Sequence, residues 1–141
     1  MIRRPTSAAI AFAWHTNAIK GVYGDLSDIH DDEPCCGWFK RRLVKGGVHV
    51  AARIWLDSCV DDETGDLVAD ETLQCEVDGR YADAYAEWPW LCGHPISKAE
   101  YDYLVALSQH ARTHEPDHPA ADPRQPVDWL TAPIPFQSKG A

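Results

Sequence analysis

Between Trp38 and Leu56, two runs rich in aromatic and β-branched residues, 38–44 and 48–56, flank Lys45-Gly46-Gly47. Glycine accepts positive φ at little steric cost, so a Gly-Gly pair between two such runs predicts a β-hairpin. Successive side chains of a strand point to opposite faces. The first arm therefore sorts into Phe39, Arg41 and Leu43 against Trp38, Lys40, Arg42 and Val44. In the second arm Val48, Val50, Ala52, Ile54 and Leu56 make a continuous apolar face, and His49, Ala51, Arg53 and Trp55 a mixed one. One face suits a core; the other is cationic and aromatic.

A chain of 141 residues that is 45% hydrophobic buries one core of ordinary size, so a single domain is expected. Its organisation reads as an N-terminal helix and acidic loop at 1–36, an α+β core at 37–114 and a Pro-rich tail docked on that core at 115–141. The formal net charge of -9 argues against a general nucleic-acid coat protein. The charge is unevenly spread. Lys40, Arg41, Arg42, Lys45 and Arg53 crowd the hairpin, and Asp57, Asp61, Asp62, Glu63, Asp66, Asp70 and Glu71 follow it. Five cysteines (Cys35, Cys36, Cys59, Cys75, Cys92) lack the spacing of a secreted disulfide framework and fit reduced thiols in a cytoplasm. The apolar run Ala8–Trp14 is too short for a signal-peptide core, and no stretch approaches a membrane span. A cytoplasmic, host-cell location without membrane contact is the expectation.

Thr6 or Ser7 can cap a helix through Ala8–Ile19, with Gly21 as its stop. Residues 21–37 read as an acidic loop. Asp61-Asp62-Glu63-Thr64-Gly65-Asp66 has turn chemistry without the spaced carboxylates of a calcium loop. Leu73, Cys75 and Val77 alternate, and Asp78-Gly79 predicts a second hairpin into Arg80-Tyr81-Ala82. Two successive hairpins predict a small antiparallel sheet, open or closing into a barrel. Trp88-Pro89-Trp90-Leu91-Cys92-Gly93-His94-Pro95 reads as too proline-interrupted for a regular element, its two tryptophans plugging the end of the core. Ser97-Lys98-Ala99-Glu100 is a capping box opening a helix to about Arg112, with Tyr101, Leu104, Val105 and Leu107 at helical spacing. Beyond it the prolines predict an extended tail, pinned down through Val127, Trp129, Leu130, Ile134 and Phe136.

For chemistry, the cysteines together with His30 and His94 offer soft ligands. There is no Cys-x-x-Cys knuckle, however, and adjacent Cys35 and Cys36 on an extended backbone point opposite ways, so no metal and no cofactor is expected. Cys92 and His94 could form a nucleophile pair, but neither a nucleophile elbow nor a phosphate-cradling or dinucleotide motif surrounds them. His110 and His114 can share a helix face, whereas Pro116 keeps His118 out of it. Trp38, Lys40, Arg42, Arg53 and Trp55 are the candidate binding residues, since cations meet phosphates and flat rings meet bases.

The stretch Gly37–Gly47, with Ala52-Arg53-Ile54-Trp55, Cys75–Gly79, Trp88–Leu91, Pro95–Tyr101 and Pro126–Thr131, resembles small uncharacterised proteins of tailed bacteriophages and prophages over about Gly37 to Phe136. The resemblance implies a phage or prophage accessory protein and brings no catalytic residues. The expectation is thus an α+β domain: a small antiparallel sheet, a packed C-terminal helix and a Pro-rich tail. Its expected function is non-enzymatic binding of nucleic acid or an acidic protein surface. The alternatives are a small zinc- or thiol-dependent enzyme around Cys92 and His94, and an acidic inhibitor of a host nucleic-acid-binding protein.

Overall fold

The computed structural model describes residues 4–21 and 33–127. The acidic stretch at 22–32 and the tail residues Trp129, Leu130, Ile134 and Phe136 lie outside the described residues.

The hairpin forms where the alternation and the glycines place it. Strand β1 (Gly37–Arg42) pairs antiparallel with β2 (His49–Asp57), Phe39 opposite Ala52 and Arg42 opposite His49. The connection is longer than a two-residue turn. Gly46 takes φ +80°, and a Cβ on Gly47 would stand 3.0 Å from the Pro123 carbonyl oxygen and from Val44. Val127 N–H donates to Gly46 O at 2.9 Å, so the glycines admit the returning Pro-rich segment to the turn.

Strands β3 (Thr72–Val77) and β4 (Arg80–Ala82) form the second hairpin across Asp78 and Gly79, at φ +53° and +81°. Paired positive φ is what a tight hairpin with the right-handed strand twist demands. The four strands follow in the order β1-β2-β3-β4, an open sheet and not a barrel. The free side of β1 is covered by residues 94–96: Lys40 N–H donates to His94 O at 3.1 Å, and Ile96 N–H to Trp38 O at 2.9 Å. Covering an edge in this way keeps it from pairing with other chains.

The expected N-terminal helix is two short ones, α1 (Ala8–Ala11) and α2 (Ala13–Ile19), broken at Phe12. Ser7 caps the first through Ile10 N–H, and Gly21, at φ +73°, follows the second. The break has a packing reason. Phe12 stacks on Trp38 with ring centres 5.0 Å apart, while Trp14 reaches Phe39 (6.2 Å) and Trp88 (5.4 Å).

The stretch read as irregular contains a helix, α3 (Ala84–Leu91), with Pro89 inside it. Asp83 caps it through Tyr85 N–H at 3.0 Å. Proline removes the bond to the carbonyl one turn back, that of Tyr85, an exposed residue. Burial of Ala84, Trp88 and Leu91 stabilises the helix despite that loss. Only Trp88 (3% exposed) plugs the core; Trp90 (60% exposed) lies outside with the Arg41 guanidinium 5.1 Å from its ring centre. Helix α4 (Lys98–His114) starts at the Ser97 cap, and a short 3₁₀ turn at Pro119–Ala121 then packs on it, so the first part of the tail is not simply extended.

The core is the sheet face carrying Phe39, Val50, Ala52, Ile54, Cys75 and Val77, packed against Ala84, Trp88 and Leu91 of α3. Each large side chain so buried contributes about 1.5–3 kcal/mol. Arg41, on this same face, has its guanidinium paired to the Glu87 carboxylate of α3, which makes its near-burial tolerable. Against the opposite face lies α4, touching β2 and β1. The sheet is therefore the middle of three layers.

Candidate functional site

The face predicted to be cationic and aromatic is the seat of α4. Trp38, Arg53, Glu76 and Tyr81 form one row across β1 to β4; the neighbouring row is Lys40 and Ala51, and the next Arg42 and His49. Ala51 is only 7% exposed. A cavity of about 160 Å³ remains between the layers, lined by Ala51, Glu76, Tyr101, Leu104, Val105 and Arg112 among others.

Of the five residues read from the sequence, four have their cations or rings engaged. Trp38 lies between Phe12 and the Lys98 ammonium, which is 5.9 Å from its ring centre. Lys40 Nζ pairs with Glu100 Oε2 at 3.2 Å. Arg53 pairs with Glu76 across the strands at 3.5 Å and lies over Trp55, 4.2 Å from its ring centre. Trp55 meets Tyr81 as well, centres 6.2 Å apart. The fifth, Arg42, is exposed at the end of β1.

Arg42 has companions that the sequence reading left out. His49 stands opposite it in register, and the His94 ring, in the segment bonded along β1, lies 6.5 Å from that of His49. Burial pushes the His49 pKa below its usual 6.5; Arg42, Lys40 and His94 push it the same way, and Glu100 opposes them. A proton on His49 would set two like charges directly opposite on the sheet, which destabilises it. The rim thus gathers Lys40, Arg42, His49 and His94, with Glu100 held by Lys40 and with Lys45 exposed in the adjoining turn. The register was implicit in the hairpin, which sets His49 against Arg42. The approach of residues 94–96 was not, because no local pattern marks a segment that adds to a strand edge.

The alternative pair is drawn to different neighbours. Cys92 Sγ points to Pro89 O at 4.0 Å and packs against the core, while His94 faces His49. Burial raises the thiol pKa of Cys36, and that of Cys75 to about 12, which suits small buried hydrophobes better than nucleophiles. All five cysteines are free. Among the described residues no cluster of three or more His, Cys, Asp or Glu side chains could hold a metal ion, and no helix is long and apolar enough to cross a membrane.

Compared with protein-family models, curated proteins and solved structures, the chain matches none of them.

Proposed function

We propose that the protein is a non-enzymatic binding module that holds an acidic protein surface at the rim formed by Arg42, Lys45, His49 and His94. The observation that carries this reading is the gathering of cationic and titratable groups at one end of β1 and β2, where Arg42 stands opposite His49 and the His94 ring lies beside it; among the described residues Glu100 is the one carboxylate opposing them at His49. In a chain of net charge -9, such a local cluster of cations attracts an anion. Nucleic acid is the weaker partner. The rings that would stack on bases, Trp38 and Trp55, already carry Phe12, Lys98, Arg53 and Tyr81 against them. A phage or prophage accessory role is the setting that the resemblance over Gly37 to Phe136 supports.

The test is a binding titration with poly-L-glutamate at low salt, set beside single-stranded and duplex DNA. Arg42→Ala with Lys45→Ala is expected to weaken poly-L-glutamate binding by about ten-fold, the scale of one or two partly exposed ion pairs. Absence of binding, indifference to the double substitution, or tighter binding to DNA would each overturn the reading.

A further inference from the structure

We propose that Arg42, His49 and His94 form a subsite for a phosphate monoester dianion, taken up together with protons; this rests on the rim being the binding surface and names the group it receives. Three elements deliver the donors. Arg42 ends β1, His49 begins β2 directly opposite, and His94 sits in the segment whose carbonyl accepts from Lys40 N–H. Ring centres 6.5 Å apart let both imidazoles donate to different oxygens of one tetrahedral anion at the usual N–H···O separation of about 2.8 Å. A guanidinium fork completes the set. A carboxylate has two oxygens in one plane, which Arg42 alone satisfies, leaving both imidazoles unused. A phosphate monoester has three terminal oxygens and a charge near -2, which matches an arginine and two histidines arriving from separate directions.

Charge distinguishes it from a phosphodiester. In the free protein the cations around His49 oppose its protonation: Lys40 and Arg42 from β1 and His94 from the edge segment act in that sense, with Glu100 of α4 against them. A monoanion cancels little more than Arg42. A dianion reverses the sign of the local field and favours the imidazolium forms, each of which then donates a charge-assisted hydrogen bond. Binding is therefore coupled to proton uptake and tightens as pH falls, until the ligand itself protonates near its second pKa of about 6.

The experiment follows the histidine resonances by NMR during titration with inorganic phosphate, a phosphoserine peptide, dimethyl phosphate and acetate at matched ionic strength. Free phosphate and the peptide are both expected to shift His49 and His94 saturably, raise the pKa of His49 and leave His110 unmoved. Tighter binding of the peptide than of inorganic phosphate at pH 8, where both are dianions, assigns the subsite to a phosphorylated partner, and equal or weaker binding assigns it to a free phosphate. Binding of the peptide, a monoester that is still mostly dianionic at pH 6.5, should exceed that at pH 8 by at least about three-fold, the linkage expected when one imidazole gains a proton. Arg42→Gln and His94→Gln should each reduce it, and the unaltered His110 and His114 signals report that each variant is folded. If dimethyl phosphate or acetate acts as strongly as phosphate, or if peptide binding is independent of pH, the dianion subsite is refuted while an anionic rim survives. If no anion moves His49 or His94, subsite and rim both fall.

Discussion

His15 is the polar side chain most completely enclosed among the described residues, at 2% exposure. Its Nε2 lies 3.0 Å from Trp38 O and 2.7 Å from Ile96 O. Both partners are carbonyls, so Nε2 carries the proton, and one imidazole clamps the 94–96 segment to β1. The fit leaves no spare volume: a Cβ on Gly37 would stand 2.6 Å from His15 Cδ2, which explains a glycine at the start of β1. Burial lowers the His15 pKa from 6.5, the two carbonyl bonds opposing it. A base whose folded-state pKa is depressed binds fewer protons folded than unfolded, so stability rises with pH through that window. Stability should hold level above pH 6.5 and fall as pH drops below it toward the lower folded-state value. His49 is shifted in the same direction and adds to the slope. His15→Gln keeps an N–H near the same place and removes the titration. Urea unfolding measured between about pH 5 and 8 should therefore give a flatter profile for the variant. Parallel profiles would assign the acid sensitivity elsewhere.

At the level of elements, the second hairpin and α4 hold one another through Asp78. Its carboxylate accepts from Arg112 at 2.5 Å and from Ser108 Oγ at 3.4 Å, and its N–H donates to Ala51 O at 2.9 Å. Asparagine tolerates the φ of +53° and alanine does not, so the two substitutions separate backbone strain from charge. Asp78→Asn should destabilise by about 1 kcal/mol through the lost ion pair, and Asp78→Ala by about 2–3 kcal/mol through strain as well. Equal losses on chemical denaturation would mean that the turn conformation costs nothing. The Asp78-Gly79 turn, both hairpins, the Ser97 cap and the inward face of Phe39, Val50, Ala52 and Ile54 were legible because each is written in neighbouring residues. What α4 covers was not. Ala51 lies between His49 and Arg53, a setting that reads as solvent-facing until Tyr101, Leu104 and Val105 arrive from some fifty residues away. Pro89 misled for a related reason: local propensity disfavours a helix there, and burial of Trp88 and Leu91 overrides it. Of the candidate site, Arg42 was legible and His94 was not. Its place beside His49 depends on an edge pairing between residues far apart in sequence.

Across the whole molecule, the acidic excess and the cationic rim act over different ranges. Asp57, Asp62 and Glu63 are exposed in and beside the segment after β2, while Arg42 and His49 sit at the opposite end of that strand, where it begins. Exposed charges separated by more than a Debye length, about 10 Å at 0.1 M salt, are largely screened from each other. The net charge of -9 should therefore oppose approach of an anionic partner at low salt, without altering the contacts made at the rim. Asp57→Asn, Asp62→Asn and Glu63→Gln together remove three negative charges without touching the turn-forming carboxylate of Asp61, which accepts from Glu63 and Thr64 N–H. This triple variant should bind poly-L-glutamate about two- to five-fold faster than the parent at low salt, and the gain should vanish near 0.5 M salt. Arg42→Ala, by contrast, should speed dissociation, because it removes a contact in the bound state. Stopped-flow measurement of both rate constants decides the matter. If the triple variant alters dissociation as much as Arg42→Ala does, the partner touches the acidic segment, and the binding surface extends along the full length of β2.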